Sequence, residues 1–67
     1  MTLKEIRFYR QLSQWKLSRM AQVHQSRLSL IENGFSAHPA EKTSIITALG
    51  INPHEIDWPA DDAEKNS

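Results

Sequence analysis

The chain has 67 residues, no cysteine, two glycines and three prolines, and its formal net charge is zero. A chain this short forms one small domain with a marginal core, and without cysteine it has neither disulfide staples nor thiolate metal sites. No apolar run approaches the roughly 20 residues that a membrane span needs, and no signal-peptide pattern opens the sequence. We therefore expect a soluble, cytoplasmic protein with no membrane partner.

The charges are segregated along the chain. Residues 1–31 carry a net charge of +5 and residues 32–67 carry a net charge of −5. A basic half indicates a polyanionic partner, and an acidic end can keep that positive charge from acting indiscriminately. The alternative interpretation is a soluble domain in which the segregation arose by chance.

The first predicted helix begins after Thr2 and ends near Gln11. Thr2 and Glu5 have the spacing of a capping box, in which each residue satisfies a backbone N–H of the other. Leu3 and Ile6 form the apolar stripe of this helix.

The second and third predicted helices are separated by a turn at residues 22–24. Ser13 is a suitable N-cap for the second helix, and Leu17 with Met20 or Ala21 supplies its buried side. The third helix covers about residues 25–33 and ends at Gly34, because glycine readily takes the left-handed conformation that ends a helix.

The fourth predicted helix starts at Pro39 and ends before Gly50. Asn52 is a suitable cap for a fifth, short helix, which Pro53 would begin. Residues 60–67 are acidic and polar without large apolar side chains, so we expect a disordered C-terminal tail.

These elements predict an all-α protein, a compact five-helix bundle over residues 1–59. Period-2 alternation is absent, so strands are not expected. The turn at residues 22–24 is short enough to force a steep crossing of the second and third helices. That crossing is the geometry of a helix-turn-helix, whose second helix can enter a DNA major groove.

Two stretches, "LSQWKLSRMAQVHQSRLSLIENG" and "ALGINPHEI", resemble the helix-turn-helix family of phage lambda-type repressors, Cro and the xenobiotic-response-element regulators. The resemblance covers about residues 3–56. It implies the lambda repressor-like fold and a sequence-specific, DNA-binding transcriptional regulator. We expect a repressor that binds a near-palindromic operator as a homodimer, with residues 25–33 in the major groove.

The resemblance also implies roles for individual residues. The candidates for contacts with base edges are Gln25, Ser26, Arg27 and Ser29. The candidates for phosphate contacts are Gln14, which the family pattern indicates, and the basic residues Arg10, Lys16 and Arg19. Arg7 and Glu32 match a pair that forms a structural salt bridge. The segment with Ile56, Trp58 and Pro59 matches a region that often supplies a dimer contact; the alternative is that these residues only close the monomer core.

The chain departs from the family pattern at four places, one of which is Ser18 where alanine is usual; serine is small enough to fit there. Gln22 stands where glycine is usual, so a left-handed backbone there would cost about 1 kcal/mol. His24 stands where Ser or Thr usually caps the third helix, which predicts a weaker cap. The loop "FSAH" after Gly34 lacks the Lys or Arg that many relatives use to hold phosphate, which predicts modest affinity per monomer.

Metal and enzyme functions find little support in the sequence. His24, His38 and His54 lie in three different turns without the spacing of metal ligands. There is no Gly-x-Ser-x-Gly elbow or oxyanion loop, and so small a chain leaves little room for a closed pocket. We therefore predict no enzyme activity, no metal and no cofactor.

A second hypothesis uses the same fold as a protein-interaction module, such as an antitoxin or an anti-regulator with a protein partner. It depends on aromatic residues expected at the surface: Trp15, Phe35 and Trp58. Trp15 falls at the second position of its helix, where it could pack partly on the domain, stack on a sugar–phosphate edge or meet a protein partner. The neutral net charge and the missing loop cations favour this hypothesis.

Overall fold

The structure is a computed structural model that describes residues 1–59. Within that range the chain forms a small all-helical domain without strands. Its helices are α1 (Leu3–Tyr9), α2 (Gln14–Ala21), α3 (Gln25–Glu32) and α4 (Pro39–Leu49). The all-α prediction is confirmed, but the count of five α-helices is not. Residues 53–55 form only a 3-10 turn, and the tail predicted for residues 60–67 lies outside the described residues.

The predicted helix starts agree with the structure. The Thr2 hydroxyl accepts a hydrogen bond from the Glu5 N–H at 3.2 Å, and the Thr2 N–H donates to the Glu5 carboxylate at 2.8 Å. Ser13 Oγ accepts from the Lys16 N–H at 3.0 Å. Helix α1 ends at Tyr9, earlier than predicted, because Gln11 takes a φ of 57° that no right-handed helix can contain.

The connection between α2 and α3 is fixed by local bonds. Gln22 is left-handed, with φ 56° and ψ 39°, as its position in the family pattern suggested. The next residue, Val23, is buried, and the Ser18 hydroxyl donates to its carbonyl at 2.7 Å. This bond ties the turn back to α2 and sets where α3 begins.

The core lies where α2 packs against α3 and α4. Leu17, Leu28 and Ile45, one from each of these helices, are completely inaccessible to solvent. Around them the other buried apolar residues are Leu3, Ile6, Ala21, Val23, Ile31, Ala37, Leu49 and Ile56. With so few core residues, each contributes a large share of the stability.

The segment after the 3-10 turn returns to the start of α1. Ile56 has an extended backbone and enters the core, which explains why the turn does not continue as a helix. Asp57 then pairs with Thr2 in an isolated parallel bridge, and its N–H donates to the Met1 carbonyl at 2.7 Å.

The left-handed Gln22 yields a stability prediction. Glycine relieves the Cβ strain of about 1 kcal/mol that glutamine and alanine both carry at this position, but it also gives the unfolded chain more conformational freedom. We therefore expect Gln22→Gly to be more stable than both the wild type and Gln22→Ala by about 0.5 kcal/mol. Urea unfolding of the three proteins measures both differences; equal stability of the glycine and alanine variants would contradict a strained turn.

Candidate nucleic-acid interface

Helix α3 has one apolar side and one polar side. Leu28 and Ile31 are buried in the core, whereas Ser26 and Leu30 are exposed. Gln25 and Ser29 are half-buried at positions that share the outward side of the helix with Ser26 and Leu30. Three of the four residues predicted to contact bases therefore lie on one face of one helix.

A buried ion pair supports that face from below. The Arg7 guanidinium donates to Glu32 through Nε at 2.7 Å and Nη2 at 3.0 Å, and its Nη1 donates to the Leu12 carbonyl at 2.9 Å. Arg7 is only 7% exposed. The structure thus contains the salt bridge that the sequence indicated, and it joins α1 to the last residue of α3.

The same carboxylate begins a chain of hydrogen bonds that reaches the surface. Gln14 Nε2 donates to Glu32 Oε1 at 3.0 Å, and Gln25 Nε2 donates to Gln14 Oε1 at 2.9 Å. An ionised carboxylate only accepts hydrogen bonds, so Gln14 must turn its NH₂ group to Glu32 and its oxygen to Gln25. The amide of Gln25 consequently has a fixed direction, with its oxygen and one N–H left for a ligand.

The charge of Glu32 is stabilised by its partners. Burial alone raises the pKa of this carboxyl, but the hydrogen bonds from Arg7 and Gln14 outweigh burial, so the pKa lies below its ordinary value. Glu32 therefore stays ionised at neutral pH, and the direction of the Gln14 and Gln25 amides is maintained.

His24 caps α3 with its ring. The ring atom Nδ1 lies 3.1 Å from the backbone nitrogen of Ser26 and accepts its N–H. The Ser26 hydroxyl oxygen lies 2.8 Å from the same Nδ1. The residue expected to leave a weaker cap thus satisfies one of the free N–H groups of this helix end.

Arg27, predicted as a base contact, is held at the edge of the polar face by α4. Its Nε and Nη2 donate to the two carboxylate oxygens of Glu41, each at 2.8 Å, and Nη2 also donates to the Ser36 carbonyl at 3.3 Å. The hydrogen bond from Arg27 is the main reason that the pKa of Glu41 falls to about 2. These bonds use Nε and Nη2, so Arg27 would have to leave the ion pair before it could make paired bonds to a base.

The predicted phosphate contacts lie in different surroundings. Arg10 donates to the Leu49 carbonyl at the end of α4, so part of its guanidinium is used inside the protein. Lys16 and Arg19 are exposed on the outer side of α2, where they form an open cleft together with Ser13, Trp15 and Met20. Within residues 1–59 neither of these two cations forms an ion pair.

The residues predicted as a dimer contact are used by the monomer. Ile56 is 5% exposed and belongs to the core. Trp58 packs against that core, with the Lys42 ammonium 5.9 Å from its ring centre. Pro59 is half-buried next to them. Ile56 cannot meet a second copy without leaving the core, whereas Trp58 and Pro59 keep part of their surface exposed.

Two structural roles were missed in the sequence. Glu41 lies three residues after His38, and its carboxylate accepts the His38 N–H at 2.9 Å; this capping spacing was a signal that could have identified it. Phe35 donates its N–H to the Leu30 carbonyl at 3.0 Å, and Gly34 donates to the Ile31 carbonyl at 3.1 Å. These bonds form a Schellman motif, which places exposed Phe35 next to Leu30.

No family model matches the chain, and neither a curated protein nor a solved structure matches it. Among the helices of residues 1–59, none has the length and apolar character required to cross a membrane. The geometry of the site is therefore the basis for a functional assignment.

The low pKa of Glu41 predicts how stability responds to acid. A carboxyl whose pKa is lowered by folding contributes stability above its ordinary pKa and loses it as the pH falls towards the folded value. We expect the wild type to lose stability between about pH 4.5 and pH 2. Glu41→Gln should be less stable at pH 7 and lose less on acidification. Thermal unfolding across this range measures both proteins; parallel curves would contradict the prediction.

Proposed function

We propose that this protein is a sequence-specific DNA-binding transcriptional regulator of the lambda repressor-like helix-turn-helix type. It acts as a repressor that occupies a near-palindromic operator as a homodimer, with α3 in the major groove. α2 lies across the backbone, with its N-terminal end at a phosphate. Regulation follows from occupancy of the operator, and the chain contributes no enzymatic step.

The observation that carries this proposal is the directed amide of Gln25. An amide with a free oxygen and a free N–H can bond to adenine N6 and N7 together, in the major groove. The chain of bonds from Glu32 through Gln14 holds that amide in one orientation before any ligand arrives. Burying two charges costs desolvation free energy that an apolar pair would not cost. A purely structural role therefore does not explain why this ion pair is connected through Gln14 to an amide at the surface.

The free cations support the same function. Lys16 and Arg19 lie on α2, the helix that carries Gln14, and both are exposed. They are available to phosphates, whereas Arg7 and Arg27 are engaged by carboxylates. With few free cations, affinity per monomer is modest, and a two-fold dimer doubles the number of phosphate contacts.

Gln25→Ala tests the reading of bases. We expect a loss of about 1–3 kcal/mol on the preferred site and a relaxed preference at one base pair. Selection of bound duplexes from a random pool defines the site, and competition binding measures the loss. An equal loss on every sequence would argue against base reading by Gln25.

Lys16→Gln tests the phosphate contact. Affinity should fall alike on all sequences, and the salt dependence of binding should flatten by about one unit per monomer, because one fewer counterion is released. Lys42→Gln is the matched control, since it makes the same charge change on α4, beside Trp58. The same slope in both variants would remove Lys16 from the interface.

The cleft on α2 favours a second candidate function, a protein-interaction module such as an antitoxin or anti-regulator. Trp15 is 67% exposed and Met20 is 45% exposed. Large apolar side chains that lie together at the surface often mark a protein contact. Lys16 and Arg19 on the same cleft would select a partner with carboxylates around an apolar side chain.

Trp15→Ser separates the two functions. If the cleft binds a protein, this variant loses a partner whose activity the wild type suppresses, while it keeps its affinity for DNA. The measurement is the activity of the partner that co-purifies with the wild type, assayed after addition of the wild-type protein or of the variant. Full suppression by Trp15→Ser would exclude the cleft as the binding surface.

A further inference from the structure

The cap of α3 fixes the direction of a second hydrogen-bonding group on the polar face of this helix, the Ser26 hydroxyl. A backbone N–H can only donate, so the Ser26 N–H directed at His24 Nδ1 requires a lone pair on that nitrogen. The imidazole is then neutral, with its hydrogen on Nε2. The Ser26 hydroxyl, 2.8 Å from the same Nδ1, must also donate, because two lone pairs would repel each other at that distance.

The remaining capacity of Ser26 follows from this bond. A serine hydroxyl has one hydrogen and two acceptor lone pairs. With its hydrogen directed at His24, Ser26 offers only lone pairs to a ligand. Ser26 is exposed in the first turn of α3, the part of a recognition helix that lies nearest the base edges.

We propose that His24 determines base specificity by making Ser26 an acceptor, so that Ser26 binds the exocyclic amino group of adenine or cytosine in the major groove. Those amino groups, N6 of adenine and N4 of cytosine, are the donors that bases present in that groove. This inference rests on the proposed function, since it concerns the DNA site of α3. His24 acts through Ser26 and is a positioning residue.

Gln25 and Ser26 then have complementary tasks. Gln25 keeps both a donor and an acceptor free and fits adenine with paired bonds. Ser26 has an acceptor alone and discriminates against a base edge that carries only acceptors, such as O6 and N7 of guanine. Neighbouring residues of one helix turn thereby read different atoms, each directed by a residue that makes no contact with the base.

The experiment removes single atoms from the DNA. Site selection with the full chain first gives the preferred duplex, and Ser26→Ala identifies the base pair whose preference depends on Ser26. At that pair the exocyclic amino group is deleted, by purine in place of adenine or by 2-pyrimidinone in place of cytosine. A second duplex instead carries a 7-deazapurine, which lacks the N7 acceptor.

We expect deletion of the amino group to weaken wild-type binding about fivefold more than Ser26→Ala binding, as one hydrogen bond requires. The 7-deazapurine should affect both proteins equally. The comparison with Ser26→Ala cancels the effect of each analogue on base pairing itself.

Two variants of His24 separate direction from helix capping. Asparagine and glycine are both tolerated at an N-cap, but only asparagine supplies a side-chain acceptor. His24→Asn should still lose binding when the exocyclic amino group is deleted from the DNA (the amino-group effect), because the asparagine oxygen still accepts the Ser26 hydroxyl hydrogen. His24→Gly should lose most of that effect and gain sensitivity to the 7-deazapurine, because the hydroxyl is free to rotate and donate.

Other results would overturn the inference. A wild-type loss with the 7-deazapurine alone would mean that Ser26 donates. An equal loss on all sequences in Ser26→Ala would mean a phosphate contact, and an unchanged amino-group effect in His24→Gly would remove His24 from specificity. Each of these leaves an enriched operator and the proposed function in place. Selection without any enriched sequence would reject the proposed function and this inference together.

Discussion

The ion pair between Arg7 and Glu32 connects stability and recognition in this small domain. It takes two charges out of water, and its geometry compensates for that with two charge-assisted bonds and a third bond to the Leu12 carbonyl. Loss of one partner from such a pair typically costs about 3–5 kcal/mol, which is comparable to the whole stability that a core of this size supplies. The same carboxylate directs Gln14, and Gln14 directs Gln25. An apolar replacement of the pair could keep the fold, but it would leave the surface amide without a direction.

The pairing pattern also changes the meaning of the charge segregation. Two of the arginines in the basic half are bound by carboxylates of the acidic half, Arg7 by Glu32 and Arg27 by Glu41. Part of the segregation is therefore internal and serves to join helices. The positive charge that remains available on α2 comes from Lys16 and Arg19. A ligand meets a weaker field than the sequence suggests, and short-range hydrogen bonds have to contribute more of the selectivity.

Local signals predicted the secondary structure well, because caps and helix ends depend on neighbours in the chain. Thr2, Ser13 and Gly50 act at the predicted helix ends, since an N-cap or a left-handed residue needs only the adjacent turn. The exceptions are the end of α1, which comes earlier than predicted, and the 3-10 turn at residues 53–55. The end of this turn is set by Ile56 entering the core, a tertiary demand that spacing alone does not reveal.

The candidate site was predictable only in part, because its side-chain directions depend on tertiary contacts that residue spacing does not reveal. The family resemblance indicated Gln25, Ser26, Arg27 and Ser29 as base contacts, but it could not show that Arg27 is turned towards α4 by Glu41, 14 positions away. The directions of the amides and of the Ser26 hydroxyl also depend on contacts across helices or on a ring orientation. Such contacts decide whether a side chain is a donor or an acceptor, and residue type alone leaves that open.

The bridge between Thr2 and Asp57 has a consequence for the order of folding. Met1 and Glu55 are joined across 54 positions of the chain, whereas the bonds within the α2–α3 connection join residues only five positions apart. Closing a long loop costs more conformational entropy than closing a short one, so non-local contacts form late. The α2–α3 unit can therefore assemble first, and the direction of the Gln25 amide follows once Arg7 of α1 has paired with Glu32. In hydrogen exchange the Asp57 amide would then belong to the least protected group, opening without loss of the helices that carry the site.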